Sequence, residues 1–456
     1  MTVWIIFLYI LLGTFAGAFI CIIPSLHIYN VAGIAVVLWM RARYLIPYYA
    51  LGPFFMSLVV SFSFVNIIPM TFFNSLDESA GASILPSSAM FSQGRGKDAV
   101  LITGVGTLAG VFLLVLLYPF YFYVWPYIAA ALGPHLHWII GLIIVHYIMS
   151  EWPKGAGRGP NPLKKFMEAW RNCFAGITTF TLAGLFGLIY LSKPILHSQN
   201  SFQSIMPVFI GFFAIPSLIQ NLVSKHEVPE QYSSEYINAG PWDFVYGLLP
   251  GFFGGMLAAY IPGVTAGIGS MLAGHTTNHR NLQRTEYMPP AEKGTKVFLH
   301  TPQMYYLQER LFLIAGGTIR VIYYAGAFLL LFVLTELTPY GTGRGGLTFM
   351  LRPVFVAESG DYWIISATIL LSGCIAFLLL SFLTDIVIRL LPRINIKKLT
   401  ISSLILISIL IYITGGGFTG ILIAMITTCI GMIPVFYNCR RSHCMAVLLV
   451  PIAVNM

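Results

Sequence analysis

Four charged residues in or beside interrupted apolar segments have side chains that can bind ions. Asp77 and Glu78 are adjacent, and Arg95 and Arg310 each lie beside a short apolar piece. Carboxylates bind hard metal cations, and a buried carboxylate can carry a proton instead. A guanidinium group offers a planar fork to a carboxylate or phosphate. The four residues therefore predict a site that binds an anion together with Na⁺ or H⁺.

The same charges have a second interpretation, which the sequence leaves open. Asp77 and Glu78 can begin a helix in an aqueous loop, because ionisable residues inside membranes are rare. Arg95 and Arg310 can be topology anchors in water, since basic residues commonly flank membrane spans.

Small polar residues follow prolines and other interruptions in the apolar runs. Backbone groups and small polar side chains at such places can replace the water around an ion. We predict that seven of these residues line a polar cavity: Ser25, His27, Asn30, Asn74, Ser75, Gly263 and Thr265. The sequence contains no recognisable catalytic motif and no metal-ligand pattern, so we expect no enzyme activity, no cofactor and no bound metal besides a coupling Na⁺.

A repeated pattern indicates the elements that must position these residues. Residues 13–33 and 251–271 align at an offset of 238 positions, about half of the 456-residue chain, and Pro24 then matches Pro262. Gly-lined apolar helices that break at Ile-Pro near bilayer depth, one in each half, are typical of secondary transporters built from repeats. We therefore predict two repeats of inverted direction, 1–223 and 244–456, whose broken helices pack closely through their glycines.

Each half also contains a second interrupted segment. The first is 64–98, with Pro69 and Pro86, and its counterpart is 297–320, which includes Pro302. Non-helical backbone at membrane depth requires protein or a wet cavity around it. We expect re-entrant segments with helix breaks at these three prolines.

Composition defines the class of protein. The chain is 57% hydrophobic and only 9% charged, with a mean hydropathy of +0.81, whereas soluble domains have about 25% charged residues. This predicts an all-α polytopic protein of the plasma membrane with roughly 10–12 transmembrane helices and no soluble domain. The net charge of +9 comes mostly from short loops, where contact with lipid headgroups explains it and nucleic acid is not an expected partner.

The broken segments resemble those of a known family. Ile23-Pro24-Ser25 and the run IPGVTAGIG at 261–269 resemble paired segments in the large permease subunit of tripartite tricarboxylate transporters. Asp77-Glu78, followed by Leu85-Pro86 and by GRGKDA at 94–99, is most similar to an archaeal branch. Ser25 departs from the glycine that the family has after the first Ile-Pro, and Ser87-Ser88 departs from the Gly-His common in that branch.

The resemblance implies ten to twelve helices in two inverted repeats, with a substrate site between them. It implies carboxylate uptake driven by Na⁺ or H⁺, together with a small membrane subunit and an extracytoplasmic binding protein as partners. We therefore expect a secondary transporter for a carboxylate-like organic anion. A translocase for a lipid-linked anion such as polyprenyl phosphate, an intramembrane enzyme acting on lipid-linked substrates and a homodimer remain open alternatives.

Overall fold

The computed structural model is helical throughout most of its described residues. It describes residues 2–41, 46–75, 84–153, 155, 157–192, 205–224, 228–232, 240–261, 263–281, 303–332, 348, 351, 355–358 and 360–455. Within these residues, ten helices are long and apolar enough to cross a membrane. The prediction of a polytopic helical membrane protein is therefore confirmed.

The helices used below are, in chain order, α1 (Thr2–Ile20), α2 (Ile28–Arg41), α3 (Tyr48–Val65), α4 (Ile67–Phe73), α5 (Ile84–Ser92), α6 (Gly96–Leu132), α7 (Leu136–Met149), α8 (Pro162–Ser192), α9 (Ile205–Phe209), α10 (Ile215–Val223), α11 (Pro241–Tyr260), α12 (Ala266–Asn281), α13 (Gln303–Val321), α14 (Ala327–Leu329), α15 (Asp361–Leu390), α16 (Ile396–Thr414), α17 (Phe418–Tyr437) and α18 (Ala446–Asn455). Two π-helical turns are inserted between these helices, Ile210–Ala214 before α10 and Ile322–Gly326 after α13.

Glycines of α1 and α11 allow close packing, as their spacing predicts, but each helix packs against a third helix. A methyl group on Gly13 would overlap the Phe54 carbonyl of α3, and one on Gly17 would meet α3 further along, at Leu58 and Ser61. Residue numbers increase along both helices from the first contact to the second, so α1 and α3 run parallel.

The second half repeats this arrangement. Gly251 of α11 lies against Ala315 and Thr318 of α13, and Gly255 lies against Ile319 and Ile322. Therefore α11 and α13 are also parallel.

The two predicted breaks have the same local geometry. After α1, Ser25 has a left-handed backbone with φ 65°, and after α11, Gly263 has φ 75°. These two residues are related by the same offset of 238 that aligns the prolines. The helices resume at equivalent residues too, because the carbonyls of His27 and Thr265 accept the first hydrogen bonds of α2 and α12.

The halves cross where α3–α4 meets α13. Phe62 packs on Tyr324, with ring centroids 5.9 Å apart, and Arg320 Nη2 lies 3.4 Å from Met70 Sδ. Residue numbers increase from Phe62 to Met70, whereas those of their partners decrease from Tyr324 to Arg320. The α3–α4 span and α13 are therefore antiparallel. Further contacts join α6 to α13 and α15 to α3, so each half packs on the other rather than forming a separate body.

Three predicted interruptions are wrong within the described residues. Pro69 lies inside α4, and α3 and α4 together form one span, Tyr48–Phe73, with only a local irregularity at Asn66. Pro86 is the third residue of α5, where the missing N–H of proline costs no intrahelical hydrogen bond.

The third correction concerns 297–320. Its described part is the uninterrupted helix α13, and its Gly316-Gly317 pair does not break it. Gly317 instead lets α13 pack on α6, since a methyl there would overlap the Thr103 carbonyl.

Candidate functional site

The first break is held by a pair of serines. Ser75, two residues after the end of α4, accepts a hydrogen bond from the Ser25 backbone N–H, and the two hydroxyl oxygens are 3.1 Å apart. Both residues are buried. The left-handed backbone at Ser25 is unfavourable for a residue with a Cβ, and these bonds help to hold it.

His27 connects the same break to the second half of the chain. Its Nε2 atom is 3.3 Å from the Tyr324 hydroxyl, and its ring packs on Phe62 at 5.5 Å between centroids. At 1.5 Å per residue, roughly 21 Å of the Tyr48–Phe73 span precedes Phe62 and roughly 17 Å follows it. The break therefore lies beside the interior of a membrane-spanning helix.

Two further predicted residues present polar atoms without hydrogen-bond partners in the described part of the chain. Asn30 in α2 is 1% exposed and Thr265 before α12 is 3% exposed. Asn30 Nδ2 and Thr265 Oγ1 make no hydrogen bond there. Buried polar groups are nearly always hydrogen-bonded, so these two atoms are suited to binding a ligand or water.

Asn74 connects the first break to α10. Its side-chain amide donates to Asn221 Oδ1 at 3.2 Å, and Asn221 donates in turn to the Phe73 carbonyl at 2.7 Å. The guanidinium of Arg441 reaches the same helix, where it donates to Ser217 and Gln220.

The structure does not bring Arg95 and Arg310 to the breaks. Arg95 forms an ion pair with Asp98 at the start of α6, in which Nε and Nη2 both donate to Asp98 Oδ2. Arg310 lies 3.7 Å from Asp243, and along α13 it is about 21 Å from Tyr324. Their positions therefore do not support the predicted contact with substrate at the breaks.

The remaining predicted residues lie apart or outside the described residues. Gly263 contacts α18, where Ile452 is its nearest neighbour. The acidic pair and two of the prolines fall outside the described residues: Asp77, Glu78, Pro262 and Pro302.

Arg320 is a candidate that the sequence interpretation missed. It is 2% exposed, and its Nε and Nη1 atoms have no hydrogen-bond partner among the described residues. Its position offered a signal, because it is the single charged residue between Leu311 and Thr335. An arginine within an apolar span costs roughly 2.5–3.5 kcal/mol on insertion scales and is a functional candidate by default.

A second charged cluster lies outside the membrane spans, after α7. Glu151 Oε1 accepts a hydrogen bond from the Arg440 backbone N–H at 2.9 Å and lies 3.6 Å from His443 Nε2. Burial raises the pKa of Glu151, but the nearby His443 and the hydrogen bond from Arg440 outweigh burial and hold the pKa below its ordinary value. This cluster anchors the segment that contains Arg441.

These features define a multi-pass helical membrane protein with two broken helices and buried polar groups beside its interior spans. A sequence model of the family described as "Tripartite tricarboxylate transporter TctA family" matches residues 7–446. The chain belongs to this family, and it is a transporter by family.

A curated relative is similar over almost the whole chain. An uncharacterized protein of Methanocaldococcus jannaschii is 23% identical over 457 aligned residues, which cover 97% of both proteins. No solved structure matches.

Proposed function

We propose that the protein is a secondary active transporter for a carboxylate-like organic anion, coupled to Na⁺ or H⁺ in the plasma membrane. The observation that carries the proposal is the pair of equivalent helix breaks. Ser25 and Gly263 share an offset and a left-handed backbone, and both breaks lie near the π-helical turn Ile322–Gly326. Tyr324 in that turn contacts His27, and Gly326 approaches Ala259 near the end of α11.

The helix directions support inverted repeats. Each broken helix runs parallel to its partner, α1 with α3 and α11 with α13, whereas α3 and α13 are antiparallel. The units that contain the two breaks therefore enter the centre from opposite directions, as in transporters built from inverted repeats around a central site.

The substrate class rests on two features. The description of the family names tricarboxylates, and the helices α2 and α12 begin at the breaks. A helix N-terminus has a partial positive charge equivalent to about half an elementary charge, which favours an anion. Asp77 or Glu78 remains our proposal for cation coupling. We further propose a small membrane subunit and an extracytoplasmic binding protein as partners.

The test is transport by the purified full chain in proteoliposomes. We expect exchange of labelled citrate or succinate, and accumulation when an inward Na⁺ or H⁺ gradient is imposed. Movement of polyprenyl phosphate without either carboxylate would contradict the proposal in favour of a lipid translocase. Transport of an organic cation that no anion inhibits would also contradict it.

A further inference from the structure

We propose that Arg320 is the fixed positive charge that binds a carboxylate of the substrate. This inference rests on the proposed function and adds the residue that recognises the anion. Arg320 is only 2% exposed, and its guanidinium group contacts the thioether of Met70.

Among the described residues, no carboxylate neutralises the charge of Arg320. A guanidinium stays protonated in proteins and carries five N–H donors. A thioether sulfur is a weak acceptor, and the donors on Nε and Nη1 have no acceptor among the described residues. The other buried arginine of α13 differs, because Arg310 lies within ion-pair distance of Asp243.

Arg320 lies close to the residues that contact the first break. Along α3–α4, Met70 lies between Phe62, which packs on His27, and Ser75, which bonds to Ser25. Along α13, Arg320 lies one helical turn before Tyr324, which contacts His27. Arg320 therefore lies at the same level as the broken segment, at the crossing of the two halves.

The backbone beside Arg320 is also unusual. The π-helical turn begins two residues later, at Ile322. Single π turns inside α-helices occur frequently at functional sites. Here the turn lies between Arg320 and α14 and holds Tyr324 against His27.

The donor geometry selects the ligand class. A planar fork binds a carboxylate through two parallel N–H···O bonds, and Nε and Nη1 face different edges of the guanidinium plane. A di- or tricarboxylate can thus place one carboxylate on an edge of Arg320 and keep a second for the other edge, for the helix N-termini or for Thr265. A neutral or cationic solute would leave the donors unsatisfied.

The experiment compares Arg320→Met, Arg320→Lys and the control Arg393→Gln, which removes an exposed charge far along the chain. The purified full chain in nanodiscs is titrated with citrate and with succinate, and thermal unfolding reports both binding and the stability of the ligand-free protein. Uptake into proteoliposomes is measured in parallel.

We expect Arg320→Met to weaken binding at least a hundredfold while leaving the ligand-free protein as stable as wild type, or more so. This follows because the substitution removes a buried charge that has no counter-ion among the described residues, and methionine fills a similar volume. Arg320→Lys keeps the charge but loses the fork, so binding should weaken at least tenfold. Arg393→Gln should bind within twofold of wild type.

The outcomes separate this inference from the proposed function. If wild type transports a carboxylate and Arg320→Met does so with similar affinity, Arg320 is not the binding residue although the function stands. If Arg320→Met unfolds more easily and Arg320→Lys restores both stability and binding, the role of Arg320 is structural. If wild type neither binds nor moves citrate or succinate, the proposed function fails and this inference with it.

Discussion

The left-handed backbone at Ser25 predicts that glycine is preferred over alanine there, the reverse of the usual order in a helix. Ser25→Ala keeps the left-handed conformation and loses the hydroxyl contact with Ser75, which we expect to cost about 0.5–1.5 kcal/mol. Ser25→Gly loses the same contact but relieves a strain of roughly 1–2 kcal/mol. Glycine gains flexibility in the unfolded chain, which offsets about 0.5–1 kcal/mol of this relief.

The net expectation at position 25 is that the glycine variant is more stable than the alanine variant by about 1 kcal/mol. Gly263→Ala should cost a similar amount, because its φ is 75° and the new methyl would lie 2.9 Å from the movable Ile452 Cδ1. Gly141 in α7 is the matched control, since nothing lies within 4 Å of its missing Cβ. There alanine should be more stable than glycine by roughly 0.5–1 kcal/mol.

The assay is equilibrium unfolding of the purified variants in mixed detergent micelles, followed by helical circular dichroism. At each position, we compare the unfolding free energy of the protein with alanine and with glycine. Glycine should be the more stable residue at positions 25 and 263, and alanine at position 141. If Ser25→Ala is more stable than Ser25→Gly, the geometry of the break is wrong.

Three further changes test other parts of the structure. Gly13→Ala should destabilise the fold by about 1–3 kcal/mol, because the methyl overlaps the α3 backbone; unchanged unfolding in the same assay would contradict the packing of α1 on α3. Thr265→Val should leave stability within about 0.5 kcal/mol, since it removes a buried hydroxyl without a described partner, but should raise the KM for substrate; wild-type KM would remove Thr265 from the site. Because the folded pKa of Glu151 is lowered, its contribution to stability is present above the ordinary glutamate pKa and lost as pH falls through the lowered value. Glu151→Gln should flatten that acid loss, measured as unfolding temperature against pH, and an unchanged acid slope would exclude Glu151 as its source.

Much of the architecture follows from apolar run length and from the repeat. Spans can be located in one sequence because each requires about 20 apolar residues. The 238-residue offset also located both breaks, and the equivalent residues Ser25 and Gly263 adopt the same backbone conformation. Ser25 shows that a serine can stand where the related pattern has glycine when a neighbouring hydroxyl binds its backbone.

Proline alone was a poor guide to the other interruptions. Pro86 lies in the first turn of α5, where a proline removes no intrahelical bond. Pro69 lies well inside the span Tyr48–Phe73, which continues past it with only a local irregularity at Asn66. A glycine pair such as Gly316-Gly317 indicates either a break or a close helix contact, and only the position of α6 decides between them.

The charged part of the site depends on tertiary partners that one sequence does not show. Arg95 and Arg310 were candidates because they flank short apolar pieces, yet Asp98 and Asp243 lie beside them in the structure. Arg320 was missed, although the apolar residues on both sides of it marked an intramembrane charge.

The most direct test of the account is the location of bound carboxylate in an experimental density map of the full chain with citrate. We predict density between Arg320, Tyr324 and the residues of the first break, Ser25 and His27. Citrate bound instead between Arg95 and Arg310, or at a membrane surface away from α13, would contradict the central claim.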